Sequence, residues 1–151
     1  MSQSLSAIYA HITFSTKKRQ QFLHDKKQRQ TLHAYLSGII KTLDCQSLIV
    51  GGVADHVHIL VRLNRTITPA GLIRELKRVS TRWLREQQKN LPDFEWQHGY
   101  AIFSVSQSNL QQVTNYIANQ EHHHQTMCFQ DELRTLLQKH NIVWDEQYLW
   151  N

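Results

Sequence analysis

Cysteine is scarce in this chain. Its two, Cys45 and Cys128, stand in no metal or redox motif, so free thiols in a reducing compartment are expected. At 151 residues a core can form without covalent staples. Proline and glycine are also few, two and five residues, and there is no repeat and no Pro-rich or Gly/Ser-rich stretch to read as a linker. The expectation is one domain over residues 1–151. No run approaches the ~20 apolar residues of a membrane span, and the N-terminus lacks the basic-then-apolar pattern of a signal peptide. A cytoplasmic protein with no membrane partner is expected. Acidic residues are outnumbered by Lys and Arg, 12 against 17, which gives a net charge of +5 and a pI near 9.4. That balance suits a polyanionic partner, although many basic proteins bind none.

Against this background stands Val53-Ala54-Asp55-His56-Val57-His58-Ile59-Leu60-Val61-Arg62-Leu63. Branched and apolar residues dominate it, so it predicts a buried strand, entered from a Gly51-Gly52 turn that pairs it with Cys45–Val50 as a hairpin. Strand side chains alternate faces, which puts Val57, Ile59 and Val61 on one side and His56, His58 and Leu60 on the other. Two neighbouring imidazoles on a stiff support make half of a metal site. Taken alone, a His-x-His pair more often reflects two partly buried, hydrogen-bonded histidines.

Alternation at Ile8, Ala10, Ile12 and Phe14 predicts a first strand within Ser6–Ser15, leading into the basic cluster Lys17-Lys18-Arg19. His24–Thr42 reads as an amphipathic helix through Leu32, Leu36, Ile39 and Ile40. Thr68-Pro69 reads as an N-cap with proline at the first helical position, opening a helix that runs toward Asn90-Leu91-Pro92. Its apolar positions include Leu72, Ile73, Leu76 and Leu84. Arg74, Lys77, Arg78 and Arg82 form a basic stripe, with Arg74 to Arg78 and Arg78 to Arg82 at i, i+4. Such a stripe either meets an anion or is a solvated face. Together with Lys17, Lys18 and Arg19, these are the candidate nucleic-acid contacts.

Phe94–His98 suggests a strand or turn, and Gly99–Val105 a further strand. Ser108 and Gln111 have capping-box spacing, and a continuous helix is expected from Val113 through His124. It carries Tyr116 and Gln120, four residues apart on one face. In a helix at most one of His122, His123 and His124 can share that face, and His123 or His124 is nearer to it than His122. His11 and His98 find no assignment. A last helix is expected over about Phe129–His140, followed by an aromatic tail, Tyr148-Leu149-Trp150, that docks on the body or on a partner.

The ordered set of Ser15-Thr16-Lys17-Lys18-Arg19, His56-Val57-His58, Leu76-Lys77-Arg78-Val79-Ser80, Trp96-Gln97-His98-Gly99-Tyr100 and Tyr116-Ile117-Ala118-Asn119-Gln120 spans most of the chain. It resembles the HUH single-tyrosine transposases, a family that includes small insertion-sequence transposases and REP-associated tyrosine transposases. The resemblance implies an α+β fold: a ferredoxin-like or RRM-like antiparallel sheet with helices packed on one face. It implies cleavage and rejoining of single-stranded DNA through a covalent 5′-phosphotyrosine, with Tyr116 as nucleophile. It makes His56, His58 and Gln120 ligands of a divalent metal, Mg²⁺ or Mn²⁺, and makes element ends, including hairpins, the DNA partner. A twofold homodimer is expected because strand transfer joins two ends, with the N-terminal strand edge or the aromatic tail as contacts. Two other readings stay open. One is a non-catalytic single-stranded nucleic-acid-binding module on an RRM-like sheet, and the other is a zinc-binding or storage protein using the histidines around His122. The sequence offers no evident base for the tyrosine.

Overall fold

A computed structural model describes residues 2–87 and 91–151. Four strands, β1 (Ile8–Ser15), β2 (Gln46–Val53), β3 (His56–Leu63) and β4 (Ala101–Val105), form an antiparallel sheet in the order β2-β3-β1-β4. Helix α1 (Lys26–Thr42) joins β1 to β2, and α2 (Pro69–Gln87) joins β3 to β4. This is the ferredoxin-like βαββαβ arrangement expected from the sequence. The N-terminal strand does not offer an edge for a partner, because β1 lies between β3 and β4 with its ladder bonds used on both sides.

The helices on the first face form where the sequence provides caps and stripes. Asp25 caps α1 by accepting from the Lys27 and Gln28 amides, and Thr68 caps α2 by accepting from Gly71 N at 3.0 Å. The expected end of α2 at Asn90 lies outside the described residues. Leu32, Leu36, Ile39 and Ile40 of α1 and Leu72, Ile73, Leu76 and Leu84 of α2 pack with Ala10, Ile12, Phe14, Val57, Ile59 and Val61 into the main core. Trp96 joins it, with its indole N–H donating to the Ser80 hydroxyl at 2.9 Å.

The glycine pair does not make the hairpin turn. Gly51 and Gly52 lie inside β2, paired with His58 and Val57, and the chain reverses at Ala54-Asp55. Both glycines are needed for close approach. A Cβ on Gly51 would sit 2.6 Å from the Ile117 carbonyl oxygen, and one on Gly52, whose φ is +147°, would sit 2.3 Å from the His56 carbonyl oxygen. The strand thereby lets a helix ride directly on its opposite face.

That helix is α3 (Leu110–Ala118), followed by α4 (Gln120–His123), α5 (Phe129–Lys139) and α6 (Glu146–Leu149). The continuous helix expected through His124 is broken at Asn119, and Ser108 does not cap it. Ser108 lies in a preceding 3₁₀ turn, its hydroxyl paired with that of Ser106. A smaller apolar cluster of Phe103, Phe129, Leu133 and Leu137 takes in Leu149 and Trp150, so the aromatic tail docks on the body of its own chain. Among the described residues, no helix is long and apolar enough to cross a membrane.

Candidate active site

The second sheet face is polar where the first is apolar. His11, Thr13 and Ser15 of β1 and His56 and His58 of β3 point to it, and all five are buried. His56 and His58 lie on one face as strand alternation requires, with ring centroids 5.2 Å apart. The helices from residue 110 onward cover them. Three further groups arrive this way: Gln120 from the start of α4, His124 just after it, and Glu132 from α5.

Glu132 is the hub. Its Oε1 lies 2.9 Å from His58 Nε2, 3.1 Å from His124 Nε2 and 3.3 Å from His56 Nε2. Its Oε2 accepts from Gln120 Nε2 at 2.8 Å and, in a short bond, from the Tyr116 hydroxyl. Gln120 turns its other end back, placing Oε1 3.0 Å from His56 Nε2. Tyr116 and Gln120 thus converge on one carboxylate despite the break between them.

Each of the three imidazoles is held from outside by its Nδ1. His56 Nδ1 donates to Asp55 Oδ1 at 2.7 Å, and His124 Nδ1 donates to the Met127 carbonyl at 2.6 Å. His58 Nδ1 meets His11 Nε2 at 2.7 Å. An outer partner on one ring nitrogen fixes the tautomer and aims the other nitrogen inward, as in metal-bound histidine. The inward atoms of His56, His58, His124 and Glu132 all lie within 4.8 Å of one another. A divalent cation binds nitrogen and oxygen donors at about 2.0–2.2 Å, so this separation needs only small side-chain adjustments to close on one ion. The donor set therefore fits a metal, which would stand in place of the Nε2 protons.

The local field follows from this crowding. Burial alone would lower the His56 pKa, but the bonds to Asp55 and Glu132 outweigh it and raise it to about 9. Burial lowers His58, and it lowers His11 to about 3, so His11 is a neutral hydrogen-bonding partner. Burial would raise Glu132, yet the bonds from His124, His56 and His58 hold it far below the carboxylate range. Burial and the Glu132 charge push the Tyr116 phenol above its usual range. The proton of their shared bond consequently stays on the phenol. Glu132 orients Tyr116 here without deprotonating it.

The remaining histidines separate by position. His123 packs its ring 4.8 Å from that of Tyr116, and His122 is exposed. Two cavities flank the cluster. One of about 220 Å³ is bordered by His11, Phe103, Tyr116 and Lys139, and one of about 570 Å³ by Asp55, Arg29, His124 and Phe129.

The basic candidates lie elsewhere. Arg74, Lys77, Arg78 and Arg82 line a cleft of about 710 Å³ with Trp96, His98 and Tyr100. Lys77 donates to the carbonyls of Gln97, His98 and Gly99 at 2.8, 3.0 and 2.7 Å, so its ammonium organises that loop. Arg78 pairs with Glu75 and Arg82 with Glu86 on the helix surface. Lys17 pairs with Glu95 at 2.7 Å, while Lys18 and Arg19 take positive φ and the Arg19 guanidinium lies over Trp150.

Glu132 and the particular role of His124 escaped the sequence reading. A signal for the former was present: Glu132 occupies the apolar stripe of α5, between Phe129 and Leu133, where a carboxylate must find a partner.

A ferredoxin-like sheet with a buried His-x-His pair, facing a tyrosine and a glutamine from a following helical segment, defines a protein of the single-tyrosine transposase class. The sequence model of the IS200-like transposases matches residues 4–120. The chain belongs to the IS200-like transposase family. Among solved structures it is similar to a candidate transposase from Deinococcus radiodurans R1, at 23% identity over 80% of this chain and 98% of that one, with a TM-score of 0.64. It is also similar to a REP-associated tyrosine transposase bound to a REP hairpin, at 17% identity over 82% of this chain and 74% of that one, with a TM-score of 0.59. These two likenesses concern the fold. No curated protein sequence matches.

Proposed function

We propose that this protein cleaves and rejoins single-stranded DNA in the cytoplasm, moving an insertion sequence or REP-type element through a covalent tyrosine intermediate. The observation that carries the reading is the meeting of Tyr116, Gln120, His56 and His58 around one buried carboxylate in a single chain. An ion of the Mg²⁺ or Mn²⁺ kind, held by His56, His58 and Gln120, would supply charge stabilisation to the scissile phosphate. Tyr116 Oη loses its proton and forms a bond to phosphorus as the bond to the 3′-oxygen breaks, and the departing 3′-oxygen takes up a proton, so the exchange is neutral in protons. The strand is left with a 5′-phosphotyrosine and a free 3′-hydroxyl. Glu132 and His123 fix the phenol before attack, and the cavity bordered by Tyr116 and Lys139 gives the scissile strand a place beside it. Arg74, Arg78 and Arg82, with the Lys17–Arg19 turn, are assigned to the phosphate backbone, and the hairpin bound by the REP-associated relative suggests a folded DNA end as ligand.

Rejoining two ends requires two tyrosines, which a homodimer supplies. Within this one chain the tyrosine lies beside the chain's own histidines, so the proposed dimer would have two self-contained sites. Mixing Tyr116→Phe with His56→Ala/His58→Ala protein should then restore no cleavage, even when subunits exchange. Restored cleavage would show sites shared between protomers.

The direct test uses single-stranded DNA from the flanks of the gene, with Mn²⁺ or Mg²⁺. A denaturation-resistant protein–DNA adduct is expected with the single strand, little with the duplex, and none with a chelator. Binding without any adduct would favour the non-catalytic module.

A further inference from the structure

Residues 121–151 lie beyond the part of the chain that matches the family model, yet two of them reach the centre of the site. We infer that His124 Nε2 and Glu132 Oε1 are metal ligands alongside His56, His58 and Gln120 Oε1, so that the segment from α4 to α5 adds a third imidazole and a carboxylate to the centre and makes it selective for a transition dication such as Mn²⁺ over Mg²⁺. This rests on the proposed function for the presence of an ion and goes beyond it in the donors and the ion selected.

Four features of geometry and chemistry carry the inference. The four donor atoms share one small volume, and all four residues are shielded from solvent, His56 and His58 completely. His124 is prepared as His56 is, with Nδ1 bonded outward and Nε2 facing the others; the Met127 carbonyl that holds it belongs to the loop leading into α5. Glu132 has its two oxygens divided between tasks. Oε1 faces the imidazoles, and Oε2 is taken by Gln120 and Tyr116, so the carboxylate is locked in orientation and links the tyrosine to the ligand set. Finally, the set is rich in nitrogen. Mg²⁺ prefers six oxygen donors and gives up water reluctantly, whereas imidazole nitrogen suits first-row transition dications, with affinity rising from Mn²⁺ through Co²⁺ and Ni²⁺.

The fold explains why the segment can do this. Phe129, Leu133 and Leu137 seat α5 against Phe103 on β4, and Glu132 is carried on the same face. The Phe129 ring lies 4.5 Å from that of His56, so the helix that brings the carboxylate also covers the first histidine.

Isothermal titration of the full chain with MnCl₂ and MgCl₂ tests this without DNA or turnover. The wild type should bind one Mn²⁺ per chain at least about tenfold more tightly than Mg²⁺, and His124→Ala and Glu132→Gln should each weaken Mn²⁺ binding about tenfold or more. X-ray absorption of the Co²⁺-loaded wild type gives a second readout that needs no variant: scattering from three imidazoles is expected. Two imidazoles, or undiminished affinity in both variants while His56→Ala/His58→Ala loses the ion, would overturn the inference and leave the proposed function standing. A wild type that binds no ion would overturn both this inference and the metal part of that function.

Discussion

The two faces of the sheet are built from the same strands and answer to different demands. On β1, Ala10, Ile12 and Phe14 enter the main core while His11, Thr13 and Ser15 turn to the other side. On β3, Val57, Ile59 and Val61 alternate with His56 and His58. The first face buries aliphatic side chains against α1 and α2, where shape and area decide stability. The second buries histidines that could not stay there unpartnered, and each is tied to a named acceptor or donor. Stability and chemistry are thus separated by one residue of strand register.

Substitutions on opposite faces should separate these demands. The largest effect belongs to Tyr116→Phe. Removing one hydroxyl from the polar face should reduce adduct formation to background, while Glu132 keeps its bonds to Gln120 and the histidines. The stability change should stay within about 1–3 kcal/mol in a denaturant titration, the range of one hydrogen bond to a charged group. A loss of several kcal/mol would mean that the polar face also carries the fold. On the apolar face, Leu36→Ala should show the converse. Leu36 is fully buried, so a loss of about 2–5 kcal/mol is expected, with adduct still formed at temperatures where the variant is folded.

Gly51→Ala should affect both faces. A methyl group there meets the Ile117 carbonyl oxygen, so either β2 or α3 must shift, at a cost of about 1–3 kcal/mol. Because Tyr116 is the neighbour of Ile117, adduct formation should fall as well. Undiminished adduct with unchanged melting would show that α3 is free to move off the strand.

The smallest effect concerns the tail. Arg134, Trp144 and Trp150 donate to Glu146 and hold its pKa down to about 2. A carboxylate lowered on folding stabilises at pH above its unfolded value near ~4.3, and that stabilisation fades as the pH falls toward about 2. Tryptophan fluorescence should report loosening of α6 in that window, and Glu146→Gln should remove the pH-dependent part. The group is exposed, so the change should be slight.

Much of this was legible in the sequence, and the exceptions have physical reasons. Alternation exposed the two strand faces, and the cap at Thr68 marked a real helix start. His56-Val57-His58 and the Tyr116–Gln120 pair, each local in sequence, do meet around one carboxylate. Gly51-Gly52 was misread as a turn, since glycine answers equally to a bend and to another element's close approach, and only the partner at Ile117 distinguishes them. Glu132 is 74 residues from His58, and no spacing rule links a strand to a helix that returns across it. His124 was one of three consecutive histidines, chosen by a break at Asn119 that the absence of glycine and proline had concealed.

The central claim is that Tyr116 attacks DNA phosphorus from its place on the polar face. Mass spectrometry of the protein–DNA adduct, trimmed with nuclease and digested with protease, tests it most directly. The account predicts a nucleotide remnant on Tyr116, joined through its 5′-phosphate. A remnant on Tyr9, Tyr35, Tyr100 or Tyr148, or cleavage that leaves no remnant on the protein, would contradict it.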